Sequence, residues 1–587
     1  MAKTPPASPI VWEDGAPRSA LYGDIYYSLE DGLAETQGVF FEGCRLPDAW
    51  AGRTRFTVAE LGFGSGLNIA ALLQLWQANR PASGRLHIFS VEAHPIARED
   101  AARILGTWPQ LAPAADALLA QWPGMRRGRH RLDLPSFNAI FDLAVMEVGE
   151  ALRQWDGKAD AWFLDGFAPA TNPAMWREEV LQRVAERSAP AARAATFTVA
   201  GSVRRGLEAA GFSVAKRPGY GRKRERLEAW LPGEAAADRK PGNTVVIGGG
   251  IAGAASARAF RMLGQTVTLL SDLADTAASG NAAALVTPAL DAGGGPRASL
   301  YAEAYARACK LYDATAEAVI AKGAVQVEAA ARDAARFDAV AAQDIFDPGS
   351  VARRSAEAVG ERLGEPPLAG GLELADATVV DPERVLDAWL GADLVRAEVV
   401  ALEPSLEGWR VVLRDGETLV APTLVVAAGW ATAALLPTLG LTPVRGQASL
   451  AKGVACGMAS AFGAYAVPAR GGVLFGATHD RGRTDVAVDA ADHERNLKAL
   501  AERRPNLAAA AGASNLLGRA SIRATTRDRM PVAGQVEPGL FVLSGLGSRG
   551  FTTAPLLAEH VAALSLGVAS PLARDLAALV DPQRFSK

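Results

Sequence analysis

The sequence predicts an α/β protein with two doubly wound, Rossmann-like halves. Three observations predict it. The apolar run Arg55-Phe-Thr-Val-Ala-Glu-Leu-Gly-Phe-Gly-Ser-Gly66 ends in clustered glycines and opens one strand–turn–helix pattern. A second such run, Asn243-Thr-Val-Val-Ile-Gly-Gly-Gly-Ile-Ala-Gly253, opens another. Between them lies LPGEAAADRKPGN, Leu231 to Asn243, a polar stretch holding Pro232, Gly233, Pro241 and Gly242 that reads as a linker. Strand and helix patterns alternate after each glycine cluster, which calls for parallel sheets. The expected domains are 1–235 and 244–587, joined by a linker at 236–243.

Composition narrows the classes. The 587 residues suggest more than one domain, and 49% hydrophobic with 21% charged residues marks a globular chain. Cys44, Cys309 and Cys456 are far apart with no CxxC spacing, and none of the six histidines sits at ligand spacing. No disulfide framework and no metal site are expected. A net charge of −3 gives no global field for a nucleic acid, so local patches must carry any such reading. MAKTPPASPIVWEDG lacks the apolar core of a signal peptide, and no apolar run reaches the ~18 residues of a membrane span. A cytoplasmic protein is expected, with no membrane, no DNA and no obligate protein partner.

In the first half, Thr57–Leu61 reads as a strand, Gly62, Gly64 and Gly66 as a tight turn, and a helix begins near Leu67. Alone, this spacing serves a structural turn equally well. Leu86–Val91 reads as the second strand and delivers Glu92 to its end. There a doubly wound fold holds a ribose diol, the alternative being a solvated charge. His94, just beyond, reads as a surface residue. The third element, Ala161–Trp176, places Asp165 at the end of an apolar strand, and Gly166, Pro169 and Pro173 force an irregular loop after it. Such loops border the ligand crevice. Asp165 is suited to accept an N–H from an amine nucleophile; Phe167 and Trp176 either stack on a base or pack in the core.

The string DGFAPATNPAMW, Asp165 to Trp176, has AELGFGSGLN upstream. Downstream come TFTVAGSVRRGLEAAGF, from Thr196, and KRPGYGRKRE, from Lys216. Together they resemble the methyltransferase domain of the bifunctional tRNA 5-methylaminomethyl-2-thiouridine biosynthesis family. The resemblance implies S-adenosyl-L-methionine (SAM) as co-substrate. It places Glu60, Gly62, Gly64 and Gly66 along the methionine side, Glu92 at the ribose and Asp165 as the active-site aspartate. Glu147, in Met-Glu-Val-Gly, stands where that family shows Gly-Asp near the adenine.

The second half begins with the strand Val245–Ile247 and Gly248, Gly250 and Gly253. These permit the turn, the approach of a pyrophosphate and close helix packing. The strand VTLLSD then ends at Asp272, at about the 20-residue spacing expected of a ribose-binding acid. The block of roughly 290–392 reads as mixed helices and substrate-domain strands. Thr423–Gly429 and Gly539–Thr552, the latter holding Gly545, Gly550, Phe551 and Thr552, resemble the closing strands of flavin domains. With Ala278-Ser279-Gly-Asn281, Pro443–Gln447 and Arg523–Pro531, they resemble the D-amino-acid oxidase and glycine oxidase family. The match is closest to the C-terminal half of the same bifunctional family. The resemblance implies an FAD-binding Rossmann domain with an α+β substrate domain. Arg523 stands where such enzymes grip a substrate carboxylate, and Arg549 matches a second arginine near the flavin. A guanidinium fork suits a carboxylate, and pairing with structural acids is the alternative. Ala282, Ala283 and Ala284 depart from the family's larger residues and remove side-chain contacts to the flavin.

Arg204, Arg205, Lys216, Arg217, Arg222, Lys223 and Arg224, with Tyr220 interleaved, form the strongest basic cluster, and Met125–Arg131 a second. Such clusters fit phosphate contacts with stacking, or a solvated surface. The resemblance makes tRNA the partner. It implies removal of a carboxymethyl group from a modified wobble uridine by the FAD half and methylation of the freed amine by the SAM half. The alternative is an oxidase of free amino acids fused to a small-amine methyltransferase.

Overall fold

The computed structural model describes residues 9–13, 15–28, 30–221, 224–235, 242–272, 277–392 and 394–585. The chain divides into two compact units, Met1–Lys240 and Pro241–Lys587.

In the first unit Arg55–Leu61 (β1) is a nearly continuous apolar strand, buried as a central parallel strand must be. Leu67–Asn79 (α1) follows. It starts at Gly66, whose φ of 77° is left-handed and open to glycine at no steric cost. The other strands of the unit's eight-stranded sheet are Arg85–Glu92 (β2), Gly128–Leu134 (β3), Ala139–Val145 (β4), Ala159–Leu164 (β5), Ser188–Thr196 (β6), Ser213–Pro218 (β7) and Glu225–Trp230 (β8). Among the described residues they order as β3-β4-β2-β1-β5-β6-β8-β7. Strands β4, β2, β1, β5 and β6 run parallel. Strand order reverses about β1, so the carboxyl ends of β1 and β5 flank the crevice where ligands bind in such sheets.

The second basic cluster is a correction. Residues 125–131 do not make an RNA surface. Strand β3 pairs antiparallel with β4, and Arg126, Arg129, His130 and Arg131 are buried. Arg131 makes two bonds of 2.7 Å to Asp142, and Arg129 reaches the Gln154 carbonyl. Burial opposes the charge of Asp142, but Arg131 and His87 more than offset it and hold the carboxyl well below its usual range. Arg127, which does reach the surface, pairs with Glu150.

In the second unit Asn243–Ile247 (β9) leads through the glycine turn into Ile251–Met262 (α2), then Thr266–Ser271 (β10). Gly295–Asp313 (α3) enters the mixed block expected between 290 and 392. Next come Leu394–Arg396 (β11), Thr423–Val426 (β12), Thr442–Lys452 (β13), Asp480–Arg481 (β14), Leu516–Thr525 (β15), Val532–Glu537 (β16), Leu540–Ser544 (β17) and Gly550–Leu566 (α4). One sheet orders as β11-β10-β9-β12-β17-β16, parallel but for β16. A second, ten-stranded sheet holds β13, β14 and β15. Helices α2, α3 and α4 share one core, tied by Glu559, which bonds Arg307 at 2.6 Å and Arg258 at 2.9 Å. No helix among the described residues is long and apolar enough to cross a membrane, and no metal-binding group of side chains occurs among them.

Candidate active sites

The first site is a cavity of about 560 Å³ at the carboxyl ends of β1, β2 and β5. Gly62 (φ 91°) leaves β1 so close to β5 that a Cβ would fall 3.2 Å from the Asp165 carbonyl oxygen and the Gly166 Cα. Gly64 donates its N–H to Glu92 Oε2 at 3.0 Å, and His94 N donates to Oε1 at 2.9 Å. Gly62, Gly64, Glu92 and Asp165 therefore share one wall, with His94 and Phe167 beside them.

Behind the wall is a polar network. The Asn68 amide donates to Asp165 Oδ2 at 2.8 Å and to Glu60 Oε1 at 3.1 Å, while Thr36 donates to Asn68 Oδ1 at 2.7 Å. Ser90 donates to Glu60 Oε2 at 2.6 Å, and Gly166 N holds Asp165 Oδ1 at 2.8 Å. Burial raises the pKa of Glu60 well above the ordinary value, and the charges of Asp165 and Glu92 push the same way. Glu60 is fully buried and sits behind the wall, not on it. Gly66 likewise starts α1 behind the wall, where a Cβ would fall 3.2 Å from the Phe63 and Trp122 rings. Glu147 lies off the wall too: its carboxylate caps the helix Val148–Gln154 and pairs with Arg177 at 2.8 Å. None of these three lines the cavity. Trp176 is core, with its indole N–H on the Phe167 carbonyl.

The segment before β1 closes the cavity. Tyr22 and Tyr26 pack on Phe167 with centroids 5.0 and 5.4 Å away, and Asp24 accepts the N–H of Ala168 at 3.1 Å. Burial, then the Glu92 charge, raises the pKa of both tyrosines. Sequence reasoning missed Tyr22, Tyr26 and Asn68. The signal was present: Tyr22, Tyr26 and Tyr27, three of eight tyrosines, crowd one short stretch before the glycine loop.

The second site begins at the β9–α2 turn. Gly248 (φ 115°) leaves the strand where a Cβ would collide with the Ala427 carbonyl, and a Cβ on Gly253 would collide with the Gly248 carbonyl. Gly250 faces the Ser279 hydroxyl, which accepts the N–H of Ile251 at 3.0 Å. Gly550 opens α4 against the Ile251 side chain, so two helix N-termini meet beside this cradle. Their free N–H groups favour a phosphate or another electron-rich ligand. Phe551 is buried, its carbonyl taking the Tyr312 hydroxyl at 2.7 Å, and Thr552 donates to the Thr287 carbonyl at 3.1 Å. Gly429 and Gly545 turn the chain after β12 and β17 with φ of 58° and 67°, tied by Ser544 to the Gly429 carbonyl at 3.1 Å. Asp272 is exposed just past β10, and Asn281 accepts from Arg519 at 3.2 Å. Ala282 and Ala283 pack into the core of the ten-stranded sheet.

Arg523, on β15, donates to the Thr478 carbonyl at 3.3 Å. Its guanidinium lies flat on Gly446, where any Cβ would collide with it. Arg549 reaches the carbonyls of Thr287 and Pro288 at 3.4 and 3.2 Å. Burial lowers the pKa of both. Neither pairs with an acid among the described residues, so the structural-pair alternative falls away. Gly446 was missed because its role lies in a neighbouring strand.

The basic strip of the first unit is partly neutralised. Arg204 pairs with Glu208 at 2.8 Å, Lys216 with Glu225 at 2.7 Å and Arg217 with Glu228 at 3.8 Å. Arg205 and Arg224 are exposed, and Arg222 and Lys223 lie outside the described residues. Tyr220 lines the methyl-transfer cavity itself.

Residues 109–232 match the family described as S-adenosyl-L-methionine-dependent methyltransferase, and residues 243–564 match FAD dependent oxidoreductase. The chain is 57% identical to the tRNA 5-methylaminomethyl-2-thiouridine biosynthesis bifunctional protein of Caulobacter sp. strain K31, over 99% of this chain and 98% of that one. It is 58% identical to the protein of that name from Caulobacter vibrioides, over 100% and 98%. In fold, a glycine oxidase from Bacillus cereus aligns with a TM-score of 0.50 at 19% identity, covering 58% of this chain and 98% of that one. The two cofactors are therefore S-adenosyl-L-methionine in the first unit and FAD in the second. This chain belongs to the family of tRNA 5-methylaminomethyl-2-thiouridine biosynthesis bifunctional proteins.

Proposed function

We propose that the chain performs two consecutive steps on one wobble uridine of tRNA. The FAD unit converts 5-carboxymethylaminomethyl-(2-thio)uridine to the 5-aminomethyl form, and the other unit methylates that amine to 5-methylaminomethyl. The observation that carries this reading is the half-buried Arg523 guanidinium, which has no acid partner among the described residues, in a chain matched along its length by tRNA-modifying relatives.

FAD supplies a two-electron acceptor for the hydride that leaves the carbon between nitrogen and carboxylate. Arg523 holds that carboxylate by a charge-assisted fork, and Arg549 adds positive charge beside the Thr287–Pro288 turn. As the nitrogen loses its proton a substrate imine forms. Water adds to it, the C–N bond breaks, and glyoxylate departs from the free amine.

For the second step the amine must be neutral, although an alkyl amine has a pKa near ~10. The amine nitrogen then attacks the sulfonium methyl in line, forming the N–CH3 bond as the S–CH3 bond breaks and S-adenosylhomocysteine leaves. We assign Asp165, fixed by Asn68 and Gly166, to orienting the N–H. Its negative charge favours the ammonium form, so its contribution is positioning. Glu92 is assigned to the ribose, with Gly62 and Gly64 admitting the donor. The cradle of Gly248, Gly250, Gly253 and Ser279 is assigned to the FAD pyrophosphate. The modified base leaves its stack to enter either pocket.

The test is nucleoside mass spectrometry of tRNA treated with purified, flavin-loaded protein. Without methyl donor the aminomethyl nucleoside accumulates; with donor it becomes methylaminomethyl. Asp165→Ala stops the second conversion and spares the first. Untouched tRNA in both conditions refutes the assignment, and equal loss of both steps in the variant refutes the division of labour.

A further inference from the structure

In the FAD unit, β13 lies between β14 and β15. Val444 is paired with Arg481 on one side and with Arg523 on the other. Residues in one cross-strand row point to one face, so Arg481 and Arg523 share a face about 10 Å apart across Val444. The next row, Asp480–Arg445–Ile522, points to the opposite face, where Arg445 is fully buried on Asp492. Arg529 belongs to the turn after β15 and has a left-handed φ of 61°. His479 precedes β14, and the charges of Arg523, Arg481 and Arg529 all bear on its imidazole.

Arg481 and Arg529 are exposed, and neither has an ion pair among the described residues. The nearby acids are already engaged. Asp480 bonds Arg495 at 2.9 Å, Asp485 bonds Arg483 at 3.0 Å and Asp528 bonds Arg584 at 2.8 Å. Uncompensated cations thus stand beside the arginine assigned to the substrate carboxylate, whereas Arg204, Lys216 and Arg217 of the other unit have acid partners.

We propose that Arg481 and Arg529, with His479 near them, form a phosphate-binding rim beside Arg523 that takes the RNA backbone flanking the modified uridine during the oxidative step. The inference rests on the tRNA reading above and adds its docking surface on this unit. A free amino acid needs only the carboxylate grip; a nucleotide within a chain brings phosphates on both sides, and paired arginines outside the grip match them. Phosphate contacts release counterions, so the rim makes the oxidative step salt-dependent.

The test is kcat/KM for carboxymethyl removal from tRNA by the full-length, flavin-loaded enzyme across a salt series. R481A/R529A lowers the value at low salt by about tenfold or more and reduces the log–log salt slope by roughly 1.4, at ~0.7 per single-strand phosphate contact. R481K/R529K restores most of both, and R481E/R529E deepens the loss. As a control, R410A/R414A, at Arg410 on the strand Gly408–Leu413 of a separate three-stranded sheet and Arg414 in the turn after it, paired with Glu403 and Glu398, stays within about twofold of wild type, as exposed ion pairs count for little. If wild type processes tRNA and R481A/R529A matches it in rate and slope, the rim is refuted while the functional reading stands. Loss without rescue by lysine or without a slope change also refutes it, since that marks a structural role. Wild-type enzyme that leaves tRNA unmodified overturns both.

Discussion

Asn68 has its whole amide engaged: two N–H groups serve Glu60 and Asp165, and its oxygen takes Thr36. It is the joint between the glycine loop and the acid assigned to the amine. Asn68→Ala removes the 2.8 Å amide bond to Asp165 and lowers methyl transfer on the order of 10²-fold, as loss of orientation does, while carboxymethyl removal continues. Separate measurement of the two tRNA products checks this; parallel loss of both contradicts it. Residue roles were legible in unequal degree. Asp165 was legible because a strand, an acid, a glycine and two prolines in series leave it one place to be. Asn68 stands at the end of AELGFGSGLN, but nothing in its spacing shows that its partner lies 97 positions away. Arg126–Arg131 misled because a run of cations reads as surface, and only pairing with β4 shows that Asp142 waits opposite Arg131.

At the scale of elements the two units repeat one device. In each, the first glycine after the central strand is wedged against the strand across the switch point, Gly62 on Asp165 and Gly166, Gly248 on Ala427 and Ala428. That wedge is why the glycine clusters were the clearest signal in the sequence: with a left-handed φ, a Cβ is crowded at Gly62 and collides at Gly248, so the residue type reports the topology. The ten-stranded sheet was far less legible, since its strands are scattered between Ala284 and Thr525, interleaved with helices and paired at long range. Helix α4 carries a second kind of information. His560 is buried in it against Ser570, at 2.7 Å, and burial pulls its pKa down to about 4. The unfolded value is near 6.5, so the neutral ring contributes its full stability above that pH, and the contribution is lost as pH falls toward the folded value. Between pH 7 and 5 the loss is about 2 kcal/mol. Urea midpoints of His560→Gln at the two pH values should therefore lie closer together than those of wild type; an unchanged gap refutes a buried neutral ring.

At the scale of the whole molecule, the two units have separate cores and bind different cofactors. Each cofactor therefore stabilises its own unit. At about 100 times its dissociation constant a ligand adds ~2.7 kcal/mol to the unit that holds it, roughly 5–10 °C for units of this size. Calorimetry of the full chain should show two transitions, one moved by S-adenosyl-L-methionine and the other by FAD. A single transition shifted equally by both contradicts this independence. The shelf at Gly446 has a use in genetics. Every coding change at that codon adds a side chain where the Arg523 guanidinium lies, and Gly446 is not among the residues that line the first unit's cavity. Gly446→Ala is expected to behave as a separation-of-function allele, with carboxymethyl removal down on the order of 10²-fold and methylation of supplied aminomethyl tRNA intact. Cells carrying it would halt at the carboxymethyl nucleoside, which makes one missing methyl group a switch for studying each modification by itself.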